Sequence, residues 1–301
     1  MKNKNFVSGF VSVVGRTNVG KSTLLNALLG EKLLIISDKP QTTRNNIRCI
    51  FTDDEAQIVF MDTPGIHRPK NRLGELMIDK VAQSLANTDV TLLVLENDLQ
   101  IGGRDKMLLE KLAQSNKPTI AIINKADKMT QEDVLYKINL LKEYDYIDEI
   151  VPLSALTGKN VEKIIPLIKQ YLQKGPMYFP EEMITDMPEK FFVEEMIREK
   201  ALFFLQEEIP HGIAVEVFSM KERTGRDLMD IEATIFCERK SHKGIVIGKK
   251  GEMLKKIGIK AREDIEKFLD IKVNLQLWVK VRENWREKQY DLTDLGYQEK
   301  D

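Results

Sequence analysis

The amino-acid sequence predicts two modules: an α/β unit with a mainly parallel sheet and helices on both faces, followed by a smaller α+β unit. Three observations carry this reading. From residue 6 to about 174 short apolar runs alternate with amphipathic stretches, the pattern of a parallel sheet wrapped by helices. Gly175, Pro176, Pro180 and Pro188 then punctuate a stretch without periodicity, which marks a linker. After it the order becomes helix, strand, strand, helix, helix, strand, which implies a small three-stranded sheet with helices on one face. A length of 301 residues accommodates both.

Taken in order, Phe6 to Val14 reads as a strand, Gly15 to Ser22 as a glycine-bearing loop, and Thr23 to Leu29 as a helix stopped by Gly30. Ile47 to Thr52 and Gln57 to Met61, joined by Asp53-Asp54-Glu55, read as a hairpin. Val90 to Leu95, Pro118 to Ile123 and Ile150 to Leu153 are further strands, with helical stretches near 74–86, 104–114, 132–144 and 161–172. Beyond the linker come a helix over 189–206, strands over 213–219 and 229–238, a helical turn before Gly248, and a helix over 252–269. Lys272 to Val281 alternates strictly between apolar and polar residues, a strand buried on one face. The expected limits are 1–174 for the first module, 175–190 for the linker, 191–282 for the second module and 283–301 for an acidic tail, frayed from Asp291.

Composition narrows the function classes. With 42% hydrophobic and 31% charged residues and a formal charge of -1, the chain reads as an ordinary soluble protein, so any nucleic-acid surface must be local. Cys49 and Cys237 have no metal-ligand spacing and fit buried positions in a reducing cytosol. No apolar run approaches the length of a membrane span, and the N-terminus shows no cleavable apolar stretch.

Gly15-Arg16-Thr17-Asn18-Val19-Gly20-Lys21-Ser22 is a complete G-x-x-x-x-G-K-S phosphate loop leading into Thr23. Its backbone N–H groups suit a phosphate chain, Lys21 supplies charge at the β/γ-phosphates, and the Ser22 hydroxyl suits Mg²⁺. Asp62-Thr63-Pro64-Gly65 ends a strand, where Asp62 can hold Mg²⁺ and Gly65 can offer its N–H to a γ-phosphate. In Asn124-Lys125-Ala126-Asp127 the Asp127 carboxylate can accept both N1–H and the 2-amino group of guanine, which adenine does not offer. Ser154-Ala155-Leu156 fits a backbone contact to guanine O6, and Gln41-Thr42-Thr43-Arg44 offers a threonine to Mg²⁺, with Thr43 favoured over Thr42. The candidate catalytic set is therefore Lys21, Thr43, Asp62, Gly65 and Asn18.

These elements, in this order, resemble the translation-factor class of P-loop G domains over residues 6–174, and Pro-Gln-Thr-Thr-Arg with Asp-Thr-Pro-Gly-Ile-His resembles Era-type GTPases. The resemblance implies GTP binding and hydrolysis with Mg²⁺. Ile66 stands where Ras-type proteins place a water-orienting glutamine, so a small intrinsic rate is expected. Asn18 either holds an activating K⁺ against the phosphates, as resemblance to such G domains implies, or merely tolerates the turn. His67 and Arg68 are placed near the γ-phosphate or in a solvated loop.

Arg239 to Lys260 holds eight Lys or Arg residues against one acid, Glu252. Within it lie His242, Lys243, Gly244, Ile245, Val246, Ile247, Gly248, Lys249, Lys250 and Gly251. A G-x-x-G loop brings backbone close to a nucleic-acid backbone, its lysines meet phosphates, and Ile245, Val246 and Ile247 are expected to face unstacked bases. With the element order, this resembles a type II KH domain over about 200–282. Trp278 and Trp285 suit either base stacking or packing. A G domain followed by a KH domain resembles the Era family across nearly the whole chain. That resemblance implies a monomer that binds GTP and GDP, the 3′ end of 16S rRNA and the 30S subunit. It also implies a cytoplasmic location with peripheral association at the inner face of the membrane. An alternative reading uses the basic patch on anionic lipid.

Overall fold

A computed structural model describes residues 5–39, 41–66 and 69–298 of the chain. They form two compact units, one within 1–34, 43–69 and 77–186, the other within 35–42, 70–76 and 187–301.

The first unit is a six-stranded sheet in the order β2-β3-β1-β4-β5-β6. Its strands are β1 (Val7–Val14), β2 (Ile47–Thr52), β3 (Ala56–Asp62), β4 (Val90–Leu95), β5 (Thr119–Ile123) and β6 (Glu149–Pro152). Only β2 runs antiparallel, paired to β3 as the expected hairpin. All residues of β4 and β5 are buried, because helices cover both faces and leave no polar side to the strand. Val14, Leu93, Leu95, Ala121 and Ile123 pack with Val81, Leu85, Leu108 and Leu112 from α2 (Arg72–Ala86) and α3 (Gly103–Ala113). The alternate strand residues Val13, Leu92, Val94, Ile120 and Ile122 are buried toward the other face, for which α1 (Lys21–Leu29) and α5 (Ile164–Tyr171) supply Leu24, Leu25, Ile164 and Ile168. A further helix, α4 (Gln131–Leu141), begins with a Thr130–Asp133 capping box. Strand β1 has β3 on one side and β4 on the other, so the loop after β1 opens where the strand order reverses, the usual ligand crevice of such sheets.

The segment 175–186 lies against this unit. The Ile50 N–H donates to the Ile184 carbonyl at 2.8 Å. The fully buried Gln57 side chain donates to the Phe179 carbonyl and accepts from the N–H groups of Tyr178 and Phe179.

In the second unit β7 (Ala214–Glu222), β8 (Leu228–Cys237) and β9 (Lys272–Val281) form a sheet in that order, antiparallel then parallel. A parallel β8–β9 pair needs a crossover, which α7 (Lys240–Ile247) and α8 (Glu252–Leu269) provide. Val193, Ile197 and Ala201 of α6 (Glu189–Phe204) join Ile231, Ala233, Ile235, Ile257, Ala261, Ile265, Val273 and Val279 in one core. The tail departs from expectation up to residue 298. Trp285 is fully buried, donates its indole N–H to the Gly212 carbonyl at 3.0 Å and stacks on Tyr297, while α9 (Gln289–Asp294) places Asp291 and Asp294 on Arg282. An aromatic anchor outweighs the acidic composition. Cys49 and Cys237 are buried and form no disulfide, and no helix among the described residues is long and apolar enough to cross a membrane.

Candidate functional site

The phosphate loop joins β1 to α1, and Gly20 at the head of α1 has no side-chain cap. The first N–H groups of the helix therefore lack side-chain partners and face the loop, which favours an anion. Lys21 is buried, with Nζ donating to the carbonyls of Gly15 at 3.2 Å and Arg16 at 2.9 Å. Burial lowers its pKa to about 8, against the opposing pull of Asp62. Asn18 takes up a left-handed conformation at φ 66°.

Three oxygens converge beside it. The Ser22 hydroxyl lies 3.2 Å from the Thr43 hydroxyl, and both donate to the same Asp62 carboxylate oxygen at 3.1 Å. The other Asp62 oxygen is buried and has no hydrogen-bond partner among the described residues. Burial raises the Asp62 pKa to about 6, while Lys21 and the two hydroxyls pull it down. Two hydroxyls around a carboxylate with a spare oxygen form the hard-oxygen donor set that Mg²⁺ prefers. The Thr42 hydroxyl instead donates to the Lys39 carbonyl at 2.6 Å.

The loop after β3 is tied to the phosphate loop. The Ile66 N–H donates to the Gly15 carbonyl at 3.1 Å. A Cβ on Gly65 would stand 2.6 Å from Thr17 Cα and 2.7 Å from its nitrogen, so only glycine permits this approach. His67 and Arg68, expected near the γ-phosphate or in a solvated loop, lie outside the described residues.

Asn124 links the three loops of the base site. Its amide donates to the Val19 carbonyl at 2.7 Å, and its oxygen accepts from the N–H groups of Lys125 and Ala155. Of the backbone groups of Ser154-Ala155-Leu156, expected to offer a contact to guanine O6, the Ala155 N–H is engaged by Asn124. Ser154 is buried, Leu156 is 80% exposed, and the Asp127 carboxylate lies on the exposed rim. Lys125 Nζ bridges the Asn18 carbonyl, at 3.0 Å, and Glu96.

Sequence reasoning took Arg16 only as backbone. Its guanidinium binds Asp98 at 2.6 Å and Asp105 at 3.1 Å, and the Asp98 carbonyl also accepts from Lys137. This cluster braces the loop from behind. Its residues come from four segments, two loops and helices α3 and α4, and no spacing in the sequence could have joined them.

In the second unit Gly248 turns the chain at φ 75°, where a Cβ would meet Met253 N at 2.8 Å. Lys249 and Lys250 are exposed on the turn between α7 and α8. Lys243, Gly244 and Ile245 are exposed on α7, and His242 is half-buried. Val246 departs from expectation: it is fully buried in the core, and Ile247 packs against that core. Of the three apolar residues only Ile245 presents itself to a ligand. Beside Gly251 a groove of about 350 Å³ runs between α8 and β9, lined by Leu254, Lys255, Gly258, Ile259, Arg262, Leu275 and Leu277. Sequence reasoning missed this lining, although 254, 255, 258, 259 and 262 recur at helical spacing on α8.

Comparison with known proteins adds three findings. Residues 10–125 match a family model described as "50S ribosome-binding GTPase", and residues 208–286 match a KH domain model. The chain is 52% identical to GTPase Era of Clostridioides difficile strain 630 across 98% of its own length and 100% of that protein, and 52% identical to GTPase Era of Alkaliphilus oremlandii over 97% and 99%. It superposes with a TM-score of 0.94, at 41% identity over 97% of the chain, on a crystal structure of Era in complex with MgGDPNP and nucleotides 1506–1542 of 16S ribosomal RNA. A structure of an Aquifex aeolicus Era variant bound to GDP·AlF4⁻ gives the same TM-score and identity.

Proposed function

The chain belongs to the Era family of GTPases, and from that premise we propose that it hydrolyses GTP as a switch on RNA binding, acting on the 3′ end of 16S rRNA in small-subunit assembly. Residues 1–174 carry the GTPase, 175–190 the link, 191–282 the RNA-binding module and 283–301 the C-terminal segment. The observation that carries the reading is the convergence of Ser22, Thr43 and Asp62 beside Lys21.

Ser22, Thr43 and Asp62 would hold Mg²⁺, which when bound offsets charge on the β/γ oxygens. Lys21 gives up its contacts with the Gly15 and Arg16 carbonyls for phosphate oxygens. The Gly65 N–H, held near Thr17 by the Ile66–Gly15 bond, is placed for the γ-phosphate. Asp127 selects guanine, with Asn124 holding its loop against Val19 and Ala155. No group at Ile66 orients water, so turnover is slow by itself. Asn18 within the phosphate loop supports K⁺ as the electrostatic stand-in for an arginine. In the second unit the groove between α8 and β9 takes unstacked bases while Lys249 and Lys250 meet phosphates. The protein works in the cytoplasm as a monomer, and the Lys-rich face supports a peripheral contact with anionic lipid.

The test is steady-state turnover of GTP and ATP in K⁺ and in Na⁺. GTP alone is hydrolysed, and faster in K⁺. Equal rates in the two salts would remove the K⁺ assignment, and equal use of ATP would remove the role of Asp127.

A further inference from the structure

Helix α6 ends in Ala201-Leu202-Phe203-Phe204-Leu205, two phenylalanines where the core accepts one. Leu202 and Leu205 are buried and Phe204 packs against the core, which leaves Phe203 74% exposed at the helix end. A lone exposed phenylalanine is common enough on a surface. What distinguishes this one is its setting. Helices α6 and α8 pack antiparallel, pinned by Phe192 against Phe268 at one end and by the Lys200–Asp264 ion pair at 2.5 Å further along. That register brings the end of α6 to the basic head of α8. Lys256 Nζ sits 4.4 Å above the Phe204 ring, and the Phe203 ring meets Phe204 edge-on at 5.0 Å between centroids. The neighbouring Lys255 lines the groove on the other side of α8. Adjacent residues of one helix therefore point to the groove and to the phenylalanine pair, at the end of α8 that follows the Gly248–Gly251 turn. The acids nearby are Glu199 and Asp264, both paired with Lys200, Glu207 and Glu208 in the exposed segment after α6, Glu252, and Glu263, which is paired with Lys260. Among the described residues, Lys249, Lys250, Lys255 and Lys256 form no ion pair with a carboxylate.

We infer that Phe203 is a base-stacking step that extends the RNA site: a strand leaving the groove crosses the Gly248–Gly251 turn and lays one further unpaired base on the Phe203 ring, its phosphates on Lys255 and Lys256. This rests on the groove reading above. An aromatic ring flanked by lysines suits single-stranded nucleic acid, since every base has a face to stack and every linkage a charge to meet. The groove clamps about four nucleotides, so only a longer strand reaches the step.

The experiment is fluorescence anisotropy with two RNAs cut from the 1506–1542 segment, about four and about ten nucleotides long, on the full chain and on Phe203→Ala, Phe203→Trp and Gly248→Asp, with thermal melting as a check of folding. Phe203→Ala weakens the longer RNA about fivefold or more and leaves the shorter unchanged, and Phe203→Trp restores binding. Lys256→Ala lowers the slope of log affinity against log salt for the longer RNA by about one. Equal binding of the longer RNA by Phe203→Ala and the parent, or an equal loss on both RNAs, overturns the step. If Gly248→Asp leaves both RNAs unaffected, the groove reading itself fails and the step falls with it. A Phe203→Ala loss seen only on phosphatidylglycerol vesicles assigns the ring to a membrane instead.

Discussion

At the scale of single residues Asp62 stands at the centre of the candidate site, accepting from both Ser22 and Thr43. Its carboxyl is buried, which raises its pKa to about 6 in the absence of a bound cation. The raised value has two consequences of opposite sense. For folding, a carboxyl with a raised pKa contributes stability at low pH that is lost as pH rises through 3.8 to about 6. For Mg²⁺, which needs the carboxylate, affinity is lost as pH falls below about 6. Mg²⁺ titration of the GTP-bound protein should therefore show affinity dropping about tenfold per pH unit below 6 and level above it. A flat profile between pH 5 and 7.5 would remove Asp62 from the metal site. Most of this site was legible in the sequence, because a phosphate loop and its partners are local motifs in fixed order. The favoured Thr43 is the hydroxyl that meets Asp62, whereas Thr42 turns to Lys39. What escaped was non-local: the guanidinium of Arg16 on Asp98 and Asp105 joins residues some ninety positions apart, and the Ala155 N–H is claimed by Asn124.

At the scale of elements, periodicity located every strand of both sheets, since buried parallel strands are short apolar runs and β9 alternates strictly. Helix α7 was read only as a turn before Gly248 because Lys240, His242 and Lys243 mask its start. Val246 looked like a ligand contact because a short apolar run does not say which side faces the core. A less visible device joins α6 to β7. The strand bulges between Val217 and Ser219, and the Val217 N–H there donates to Glu194 at 2.9 Å. Burial pushes the Glu194 pKa up to about 7, opposed by the Val217 N–H and Lys190 and assisted by Glu195 and Glu216. A raised carboxyl pKa stabilises the fold below the ordinary value of 4.5, and the benefit is lost as pH climbs from there to about 7. Glu194→Gln keeps an acceptor for Val217 without the buried charge. Urea unfolding at pH 8 should show the variant more stable by on the order of 2 kcal/mol, and by little at pH 5. A variant less stable than the parent at pH 8 would mean that the charge itself is needed.

At the scale of the whole molecule, the sequence divides into a GTPase unit and an RNA-binding unit, and relatives of half-identical sequence keep the same full length. The boundary between the two units falls between Thr42 and Thr43: the Thr43 hydroxyl donates to Asp62, and the Thr42 carbonyl accepts from the buried Arg198 of α6. Neighbouring residues thus answer to different surroundings, which composition alone could not reveal. The central claim is that RNA binding and GTP turnover are linked in this chain. Multiple-turnover GTP hydrolysis in K⁺, with and without RNA spanning nucleotides 1506–1542 of 16S rRNA, measures that link most directly. The account predicts that the RNA raises the rate of the parent severalfold and leaves Gly248→Asp at its basal rate. An RNA that binds the parent tightly yet changes turnover in neither protein would contradict it.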